Sequence, residues 1–522
     1  MACSHDSTTG TKPTAGVACT TANGSGTITL GAMQTATVDC SQGGNAFELA
    51  GGGPSYLLVP ELATGNVPIT ATSYTLGAPN AVATQVLASA PSLDRAPTSA
   101  PSTSPLLTKS QPAARQLAFD ARLRAADRRM VTGGRVPRAQ RSVGIPGSAK
   151  AQVAPDVGTI RSFRVIASTD TSKADVFKTV NARLAYVGAN ILLYVDTLTA
   201  VNGFASGDLS GIGNLFDQTL YPIDLNAFGQ PSDIDQNGHL VMLMTPVVNA
   251  LTPSAECKDA GYIAGFFTGY DLASTSTDSN KGEVFYTIAP DPAGVSSCAH
   301  TVADIEFSVP ATFLHEVQHL INFSQHIILH NGTEPEEGWL DEGLSRVAEE
   351  LGSRYYEQRF PPPTGRTNTL QLFPDSSQGF ISGVLTNSYA YLLKPDTATV
   401  TLHSDADDGL AWRGSVWLLV RWLGDLKGED IYKRLEATTL IGTANIEAAA
   451  GESFQGLFSD FGIAMYTDSI PGVDRSSIPQ RDRFVTRNLR RCTQRCSGRP
   501  GRALTCRSCF QSCRRASWQT RP

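Results

Sequence analysis

Long hydrophobic runs are missing from this chain. No stretch in its 522 residues approaches the roughly 18–20 consecutive apolar residues that are needed to cross a membrane. A readable signal peptide is missing too, because the start, MACSHD, has neither a basic segment nor an apolar core. The sequence therefore predicts no membrane span.

Positive charge is scarce outside the C-terminal end. The chain has 42 Lys and Arg against 48 Asp and Glu, and its formal net charge is −6. From Arg481 onward there are twelve Arg and one acidic residue, Asp482, so the tail carries about +11 and the body about −17. A body this acidic is not expected to bind nucleic acid through bulk charge.

Composition shifts divide the chain, which is too long for one ordinary domain, into five segments. The composition of residues 1–24 predicts a flexible tether. Residues 25–90 are predicted to form a small β-sandwich-like module, which either binds a substrate or surface or acts as a spacer. Residues 91–155 are interpreted as a Pro/Ser/Arg-rich linker or propeptide, with a basic amphipathic helix in ARQLAFDARLRAADRRM and arginines that invite proteolysis. Residues 156–475 form the main predicted domain, and residues 476–522 a disordered or adventitious Arg/Cys-rich tail.

Strands precede helices in the main domain. A strand meander is predicted from RSFRVIA, VNARLAYVG and ANILLYVD, and a helix from about 207 to 222. Later segments such as GLAWRGSVWLLVRWLGD predict buried helices. This order is typical of the α+β class. We expect a β-rich N-terminal lobe and a mostly helical C-terminal lobe.

The ten cysteines fall mostly into three groups. Cys19 and Cys40 bracket the β module, and Cys257 and Cys298 lie in the main domain, so each pair suits a disulfide in an oxidising compartment. The third group lies in the arginine-rich tail and consists of Cys492, Cys496, Cys506, Cys509 and Cys513. A second zinc knot is the alternative there, but so few apolar residues favour a disordered tail.

An acidic segment, SDIDQNGHLVMLMTP, mimics the start of a calcium loop. Asp233, Asp235 and Asn237 followed by Gly238 match the early positions, but Met244 stands where a bidentate Glu is expected. A structural turn is therefore favoured, with a structural calcium ion as the alternative.

The string HEVQH supplies His315, Glu316 and His319. On a helix, residues four apart project from one face, so both imidazoles can bind one Zn²⁺ while the Glu takes a proton from a metal-bound water. In a chain with 8 His, such a string arises by chance on the order of once in two hundred chains. The alternative is a core helix with hydrogen-bonded histidines. Pro310 predicts the first turn of this helix.

A third ligand is predicted from a second helix, EPEEGWLDEGLSRVAEELG. His326 would lie about 10 Å beyond His319 along the helix axis, too far to share its ion. Glu342 lies close to the inward positions Trp339, Leu340 and Leu344 and is the better candidate. Gly352 is expected to end the helix, and Glu349 and Glu350 to form a solvated acidic face.

HEVQHLINF followed by WLDEGLSRVAEE resembles the hyicolysin-like zinc metallopeptidases, within the thermolysin-like gluzincin group. WLDEGLS is also similar to the WLNEGFA element of the aminopeptidase N family, with Asp341 in place of Asn. The similarity covers about residues 155–470. It implies a zincin-like fold, one Zn²⁺ held by His315, His319 and Glu342, and Glu316 as general base.

The resemblance implies an endopeptidase that acts on protein or peptide substrates. Glu316 would also return its proton to the departing amine. Candidate donors to the oxyanion are Tyr389, Tyr391 and His403. The strand in NKGEVFYTIAPDP is either an edge strand that binds substrate by β-augmentation or an ordinary core strand.

Two other functions remain open. One is a non-catalytic surface or adhesion protein with a structural zinc site, and the other is a zinc aminopeptidase, for which no acidic anchor is evident. A secreted peptidase predicts an extracellular or bacterial surface location. Ala2-Cys3-Ser4 before a Ser/Thr/Gly-rich stretch is consistent with a lipid anchor on Cys3. The sequence does not predict an oligomeric state.

Overall fold

The computed structural model describes a subset of the chain. The described residues are 17–18, 28–39, 47, 49, 56–61, 111–134, 136, 154–169, 176–200, 203–205, 207–256, 262–272, 275, 277–359, 376–393, 395, 398–402, 409–468, 473–487, 496–497 and 505–506. Contacts divide the chain into a smaller unit (1–104, 452–490 and 511–522) and a larger unit (105–451 and 491–510). The segment boundaries proposed above stay predictions.

A six-stranded sheet forms the β layer of the larger unit. Its strands are β3 (Ile160–Ile166), β4 (Phe177–Val187), β5 (Ile191–Asp196), β6 (Leu240–Met244), β7 (Gly265–Phe267) and β8 (Val284–Thr287). They lie in the order β3-β4-β5-β6-β8-β7. The first three form the predicted antiparallel meander, and β5, β6 and β8 run parallel to one another.

Burial follows the position of each strand in this sheet. β4 alternates buried and more exposed positions, as expected for a strand with one solvated face. β6 is buried at every position, and its sequence, LVMLM, is the continuous apolar run typical of a covered parallel strand.

The strand in NKGEVFYTIAPDP is an interior strand. It is β8, which pairs with β6 on one side and with β7 on the other. All four of its residues are buried. Of the two alternatives for this segment, the structure supports the core strand, and the edge belongs to β7.

The described part of the larger unit also contains α-helices. They are α1 (Gln111–Thr132), α2 (Asp208–Leu215), α3 (Tyr221–Phe228), α4 (Pro246–Asn249), α5 (Val302–Phe323), α6 (Gly338–Arg359), α7 (Ser376–Leu393), α8 (Leu410–Lys427), α9 (Asp430–Glu436) and α10 (Gly442–Ala450). The predicted helix at 207–222 is α2 and α3 joined by a π-helical turn, Phe216–Leu220. The α+β class is confirmed, and the division into two lobes stays a prediction.

Helix α5 begins earlier than predicted. Thr301 caps it, accepting a hydrogen bond from the backbone N–H of Asp304, whose carboxylate in turn accepts from the N–H of Thr301. Pro310 therefore lies inside the helix, and the prediction that it marks the first turn is wrong. The helix packs on the sheet through Phe313, whose ring is 5.4 Å from that of Phe285.

Helix α6 does not end at Gly352, so that prediction is also wrong. A Cβ at Gly352 would lie 2.5 Å from Cδ1 of Leu314 and 2.8 Å from Cδ1 of Phe380. The glycine therefore permits close packing between α6 and its neighbours instead of terminating the helix. This close approach brings the C-terminal half of α6 against α5.

The smaller unit is described only in part. It contains α11 (Phe454–Thr467) and a short parallel pair, β1 (Val17–Ala18) and β2 (Val38–Asp39). Most of residues 25–90 lie outside the described set, so the β-sandwich-like module stays a prediction. In the larger unit, the Arg/Cys-rich tail contributes an antiparallel pair, β9 (Cys496–Ser497) and β10 (Thr505–Cys506). Among the described helices, none has the length and hydropathy of a membrane span.

Candidate metal centre

Two helices bring three potential metal ligands together. His315 and His319 project from one face of α5, and Glu342 projects from α6. The two Nε2 atoms are 3.2 Å apart. Oε2 of Glu342 lies 3.6 Å from Nε2 of His315 and 3.8 Å from Nε2 of His319. All three side chains are buried.

These separations fit a single zinc ion. Ligand atoms about 2.0–2.2 Å from a tetrahedral zinc are about 3.3–3.6 Å from one another. The three observed distances, 3.2, 3.6 and 3.8 Å, are of this size. Two imidazoles and one carboxylate are also a donor set that zinc accepts, with a fourth position left for another ligand.

Each imidazole is oriented by a carboxylate on α6. Nδ1 of His315 lies 2.8 Å from Oε1 of Glu349, and Nδ1 of His319 lies 2.8 Å from Oδ1 of Asp341. Such partners fix the tautomer in which Nε2 faces the metal. The sequence-based interpretation of Glu349 as a solvated residue is wrong, because it is 7% exposed.

Glu350 is also buried, at 0% exposure, so its assignment to a solvated face is wrong as well. Its Oε2 lies 3.6 Å from Nη1 of Arg421 on α8. The acidic pair on α6 therefore faces inward on two sides, toward the candidate metal centre and toward α8. Helix α6 packs against both α5 and α8, which explains this burial.

Glu342 is kept ionised by cations. Arg346 donates to its Oε1 from Nη2 at 2.7 Å and from Nε at 3.0 Å, and its Nη1 donates to Glu349 at 2.7 Å. Burial alone would raise the pKa of Glu342, but the guanidinium groups of Arg346 and Arg413 hold that pKa well below its usual range. An ionised carboxylate is the form that binds a metal.

The pKa values of the two histidines shift in opposite directions. Burial lowers the pKa of His315, which favours the neutral imidazole. Burial also acts to lower the pKa of His319, but the carboxylate of Asp341 outweighs it and the net shift is upward. A divalent cation between the rings would oppose protonation of both.

Glu316 lies beside the ligands with one oxygen held and one free. Its Oε2 accepts a hydrogen bond from the N–H of Phe267 at 3.0 Å. Its Oε1 is buried and has no hydrogen-bond donor among the described residues. Burial and the neighbouring Asp120 raise the pKa of Glu316 to about 8. A bound cation would lower that pKa.

Asp120 is a member of the site that the sequence analysis missed. It lies on α1, and one of its oxygens falls within 4.8 Å of ligand atoms of His315 and Glu316. It is 3% exposed, and burial raises its pKa. A signal was present, because Asp120 and Asp127 share a helix face with the apolar Phe119 and Leu123.

The predicted oxyanion donors and disulfide cysteines stay predictions. Tyr389 is half-buried and Tyr391 is buried, both on α7, and His403 is outside the described residues. Cys19, Cys40 and Cys257 are outside them as well, so the Cys19–Cys40 and Cys257–Cys298 disulfides stay predictions.

His326, which helix geometry excludes as a ligand, is buried away from the cluster. It lies in the π-helical turn Ser324–Leu329, which continues α5. Its Nε2 is 3.1 Å from the carbonyl oxygen of Leu435 on α9. This contact explains the burial of a histidine without a metal.

The acidic turn gains a carboxylate from elsewhere in the chain. Oxygens of Asp233, Asp235 and Glu283 lie within 4.8 Å of one another. Oε1 of Glu283 accepts from Ser232 Oγ at 2.6 Å, while Oε2 is buried without a donor among the described residues. Burial and the two neighbouring aspartates raise the pKa of Glu283 to about 8. The calcium-loop pattern expects a carboxylate at position 244, where the chain has Met244. Glu283 brings a carboxylate to the two aspartates from another part of the chain.

Comparison with known proteins gives one informative match. No protein-family model matches the chain. The chain is 27% identical over 192 residues to the neutral metalloprotease ShpI of Staphylococcus hyicus, a stretch that covers 37% of this chain and 40% of that protein. The chain thus spans less than half of the length of this relative. At this distance and over this part of its length, the chain is similar to a metalloprotease.

Proposed function

We propose that the chain is a zinc-dependent endopeptidase that hydrolyses peptide bonds in proteins or peptides. The observation that carries the proposal is the triangle of His315, His319 and Glu342, with Glu316 beside it. The distant similarity to a metalloprotease supports the same reaction class. The resemblance to hyicolysin-like enzymes and a zincin-like fold belong to this proposal.

The residues divide the chemistry between them. Bound by the three ligands, zinc would supply Lewis acidity toward a carbonyl oxygen and a water of lowered pKa. Glu316 would accept a proton from the attacking water and deliver it to the leaving amine. Its Oε2 is fixed by the N–H of Phe267, so Oε1 is the oxygen that handles the proton. Tyr389, Tyr391 and His403 remain candidate donors to the oxyanion.

The edge strand β7 is the natural place for a substrate backbone. It is the last strand of the sheet, so one of its sides lacks a strand partner. The same strand donates the N–H of Phe267 to Glu316. A peptide added along β7 by β-augmentation would therefore run past the general base.

Three assignments accompany the proposal. We place the protein outside the cell or on a bacterial surface, with Cys3 as the lipid attachment point and the two predicted disulfides formed there. We assign a structural Ca²⁺ to Asp233, Asp235 and Glu283, because Glu283 supplies the carboxylate that position Met244 lacks. No nucleic-acid partner is assigned.

Peptides with both ends blocked separate the endopeptidase from its alternatives. An internally quenched peptide library with acetylated and amidated ends is incubated with the full chain, with and without a zinc chelator. An endopeptidase cleaves it, loses activity with the chelator and regains it with Zn²⁺. A second library has the same sequences with free ends. An aminopeptidase cleaves only this unblocked library. A structural zinc site predicts loss of helix signal on chelation and no cleavage of either library.

A further inference from the structure

Helix α5 carries a stripe of polar side chains beside its metal-binding face. Gln318, Asn322 and His326 follow one another at intervals of four residues, from α5 into the turn Ser324–Leu329. At about 3.6 residues per turn, Gln318 and Asn322 lie within about 60° of His315 around the helix axis. All three members of the stripe are at most 2% exposed. Buried polar side chains require hydrogen-bond partners, so a neighbouring element must supply them.

The end of α9 supplies the partners of this stripe. Glu436, the last residue of α9, is 0% exposed. Its Oε1 accepts a hydrogen bond from Nε2 of Gln318 at 2.8 Å, and its Oε2 accepts one from Nδ2 of Asn322 at 2.9 Å. The carbonyl oxygen of Leu435, one residue earlier, lies 3.1 Å from Nε2 of His326. Two consecutive residues of α9 therefore bind all three members of the stripe.

The end of α9 is itself fixed to the segment that leads into α6. Nδ2 of Asn445 on α10 donates to the carbonyl oxygen of Leu435 at 2.8 Å and to Oε2 of Glu336 at 2.7 Å. Oε1 of Glu336 accepts from the N–H of Gly442 at 2.6 Å. Glu336 lies two residues before the start of α6. The cluster at the end of α9 therefore reaches both helices that carry the proposed metal ligands.

Among the described residues, the ion-pair partner of Glu436 is a histidine and not a Lys or Arg. Nε2 of His326 lies 4.0 Å from Oε2 of Glu436, and burial lowers the pKa of His326 to about 4, so its imidazole is neutral. Burial, with the carboxyl groups of Asp341 and Glu336 nearby, raises the pKa of Glu436 well above its usual range. A buried carboxylate without a compensating cation is costly, so the group takes up a proton.

A neutral carboxyl group also matches the amide that faces it. Oε1 of Gln318 is buried and has no donor among the described residues. A protonated carboxyl group has one O–H donor, and the oxygen and nitrogen of a side-chain amide are nearly the same in shape. With its amide turned over, Gln318 presents its oxygen to that donor. A glutamine in place of Glu436 offers the same pair of donor and acceptor.

We propose that Glu436 is a positioning residue for the metal centre, a neutral acid that ties α5 to the end of α9. His319 lies on α5 between Gln318 and Asn322, so the two tethers fix the turn of helix that presents its imidazole. A ligand that is held in its binding geometry by surrounding contacts binds a metal more tightly than one that must first be ordered. The proposal rests on the three-ligand centre of the proposed function and not on its reaction.

Zinc affinity, measured in the full chain by competition with a chromophoric chelator, tests the proposal without relying on cleavage. Glu436→Leu removes both tethers, so it is expected to weaken zinc binding about tenfold. Glu436→Gln keeps a donor and an acceptor without a charge, so its zinc affinity should stay within about twofold of the wild type.

Tyr432→Leu is the matched control on the same helix. Tyr432 is buried, its ring centroid lies 6.0 Å from that of Phe228 on α3, and the guanidinium of Arg421 on α8 lies 5.6 Å from it. This variant loses buried packing in α9 but keeps both tethers. We expect lower stability in urea together with the wild-type zinc affinity.

Visible spectra of the chains loaded with Co²⁺ give a second readout, because they report the geometry around the metal. We expect a changed spectrum for Glu436→Leu and the wild-type spectrum for Glu436→Gln. Circular dichroism shows whether each variant is folded. If Glu436→Leu does not fold, Asn322→Ala takes its place, because it removes one tether and should weaken zinc binding about threefold.

The outcomes separate this proposal from the proposed function. Wild-type zinc affinity in a folded Glu436→Leu chain, or in Asn322→Ala where that variant replaces it, overturns the positioning role. A Glu436→Gln chain that binds zinc as weakly as Glu436→Leu overturns the neutral acid, and an equal loss in Tyr432→Leu overturns the role by tracing the effect to general stability. A wild-type chain that shows the expected dependence on Glu436 but cleaves no peptide supports the positioning role and contradicts the proposed function.

Discussion

Glu349 holds the imidazole of His315, with its Oε1 2.8 Å from Nδ1. Because this contact orients a metal ligand, we expect Glu349→Gln to weaken zinc binding by about 10–100-fold. Competition with a chromophoric chelator measures the affinity. Glu447→Gln, an exposed change on α10, is the control that should leave it unchanged. Equal affinities in the two variants would remove Glu349 from the centre.

Gly352 and Gly383 form a matched pair on neighbouring helices. A Cβ at Gly352 would lie 2.5 Å from Leu314, whereas a Cβ at Gly383 would meet nothing within 4 Å. We expect Gly352→Ala to destabilise the protein by about 1–3 kcal/mol through overpacking. Gly383→Ala should stabilise it by about 0.5–1 kcal/mol through helix propensity. Urea unfolding measures both, and equal effects would contradict the close packing of α5 on α6.

Asp224 makes stability depend on pH. It is fully buried on α3, both of its oxygens lack donors among the described residues, and burial raises its pKa well above the usual range. The folded state therefore holds a proton more tightly than the unfolded state, so stability falls as pH rises above the ordinary pKa of an aspartate. We expect Asp224→Asn to match the wild type near pH 4 and to exceed its stability by about 1–3 kcal/mol at pH 9.

Thermal unfolding at both pH values tests this expectation. Asp217→Asn is a contrasting variant, because the oxygens of Asp217 accept hydrogen bonds from the N–H groups of Ala189, Asn190 and Ile191. That variant should lose stability at both pH values. An Asp224→Asn variant that is less stable than the wild type at pH 9 would show that the carboxylate has a partner.

Calcium should stabilise the fold through the acidic turn. Oxygens of Asp233, Asp235 and Glu283 lie within 4.8 Å of one another, and their mutual repulsion is relieved by a divalent cation. At a Ca²⁺ concentration 100 times Kd we expect about 2.7 kcal/mol of added stability. Differential scanning calorimetry measures it, with Mg²⁺ as the control ion. A shift that is the same in Asp233→Asn would place the ion elsewhere.

Local patterns explain how much of the centre the sequence could predict. The spacing of His315 and His319 places both on one face of a helix, and Glu342 lies near apolar positions of a second helix, so three ligands follow from helix periodicity. The meander and the α+β class follow from alternation and element order. These features depend on neighbours in the sequence.

Features that depend on tertiary contacts escaped prediction. Glu349 has the sequence context of a solvated acidic residue, and only the packing of α6 on α5 turns it toward His315. Gly352 ends no helix, because a close neighbour requires a residue without a side chain. Asp120 lies far from HEVQH in sequence, and the docking of α1 alone brings it to the centre.

Zinc content and peptide cleavage of Glu316→Gln test the central claim most directly. The variant keeps the shape of the side chain and leaves all three proposed ligands in place, so we expect about one zinc per chain, as in the wild type. Without a carboxylate to accept the proton, kcat/KM should fall by about 10²–10⁴-fold. Cleavage at the unsubstituted rate by a zinc-loaded Glu316→Gln protein would contradict the account.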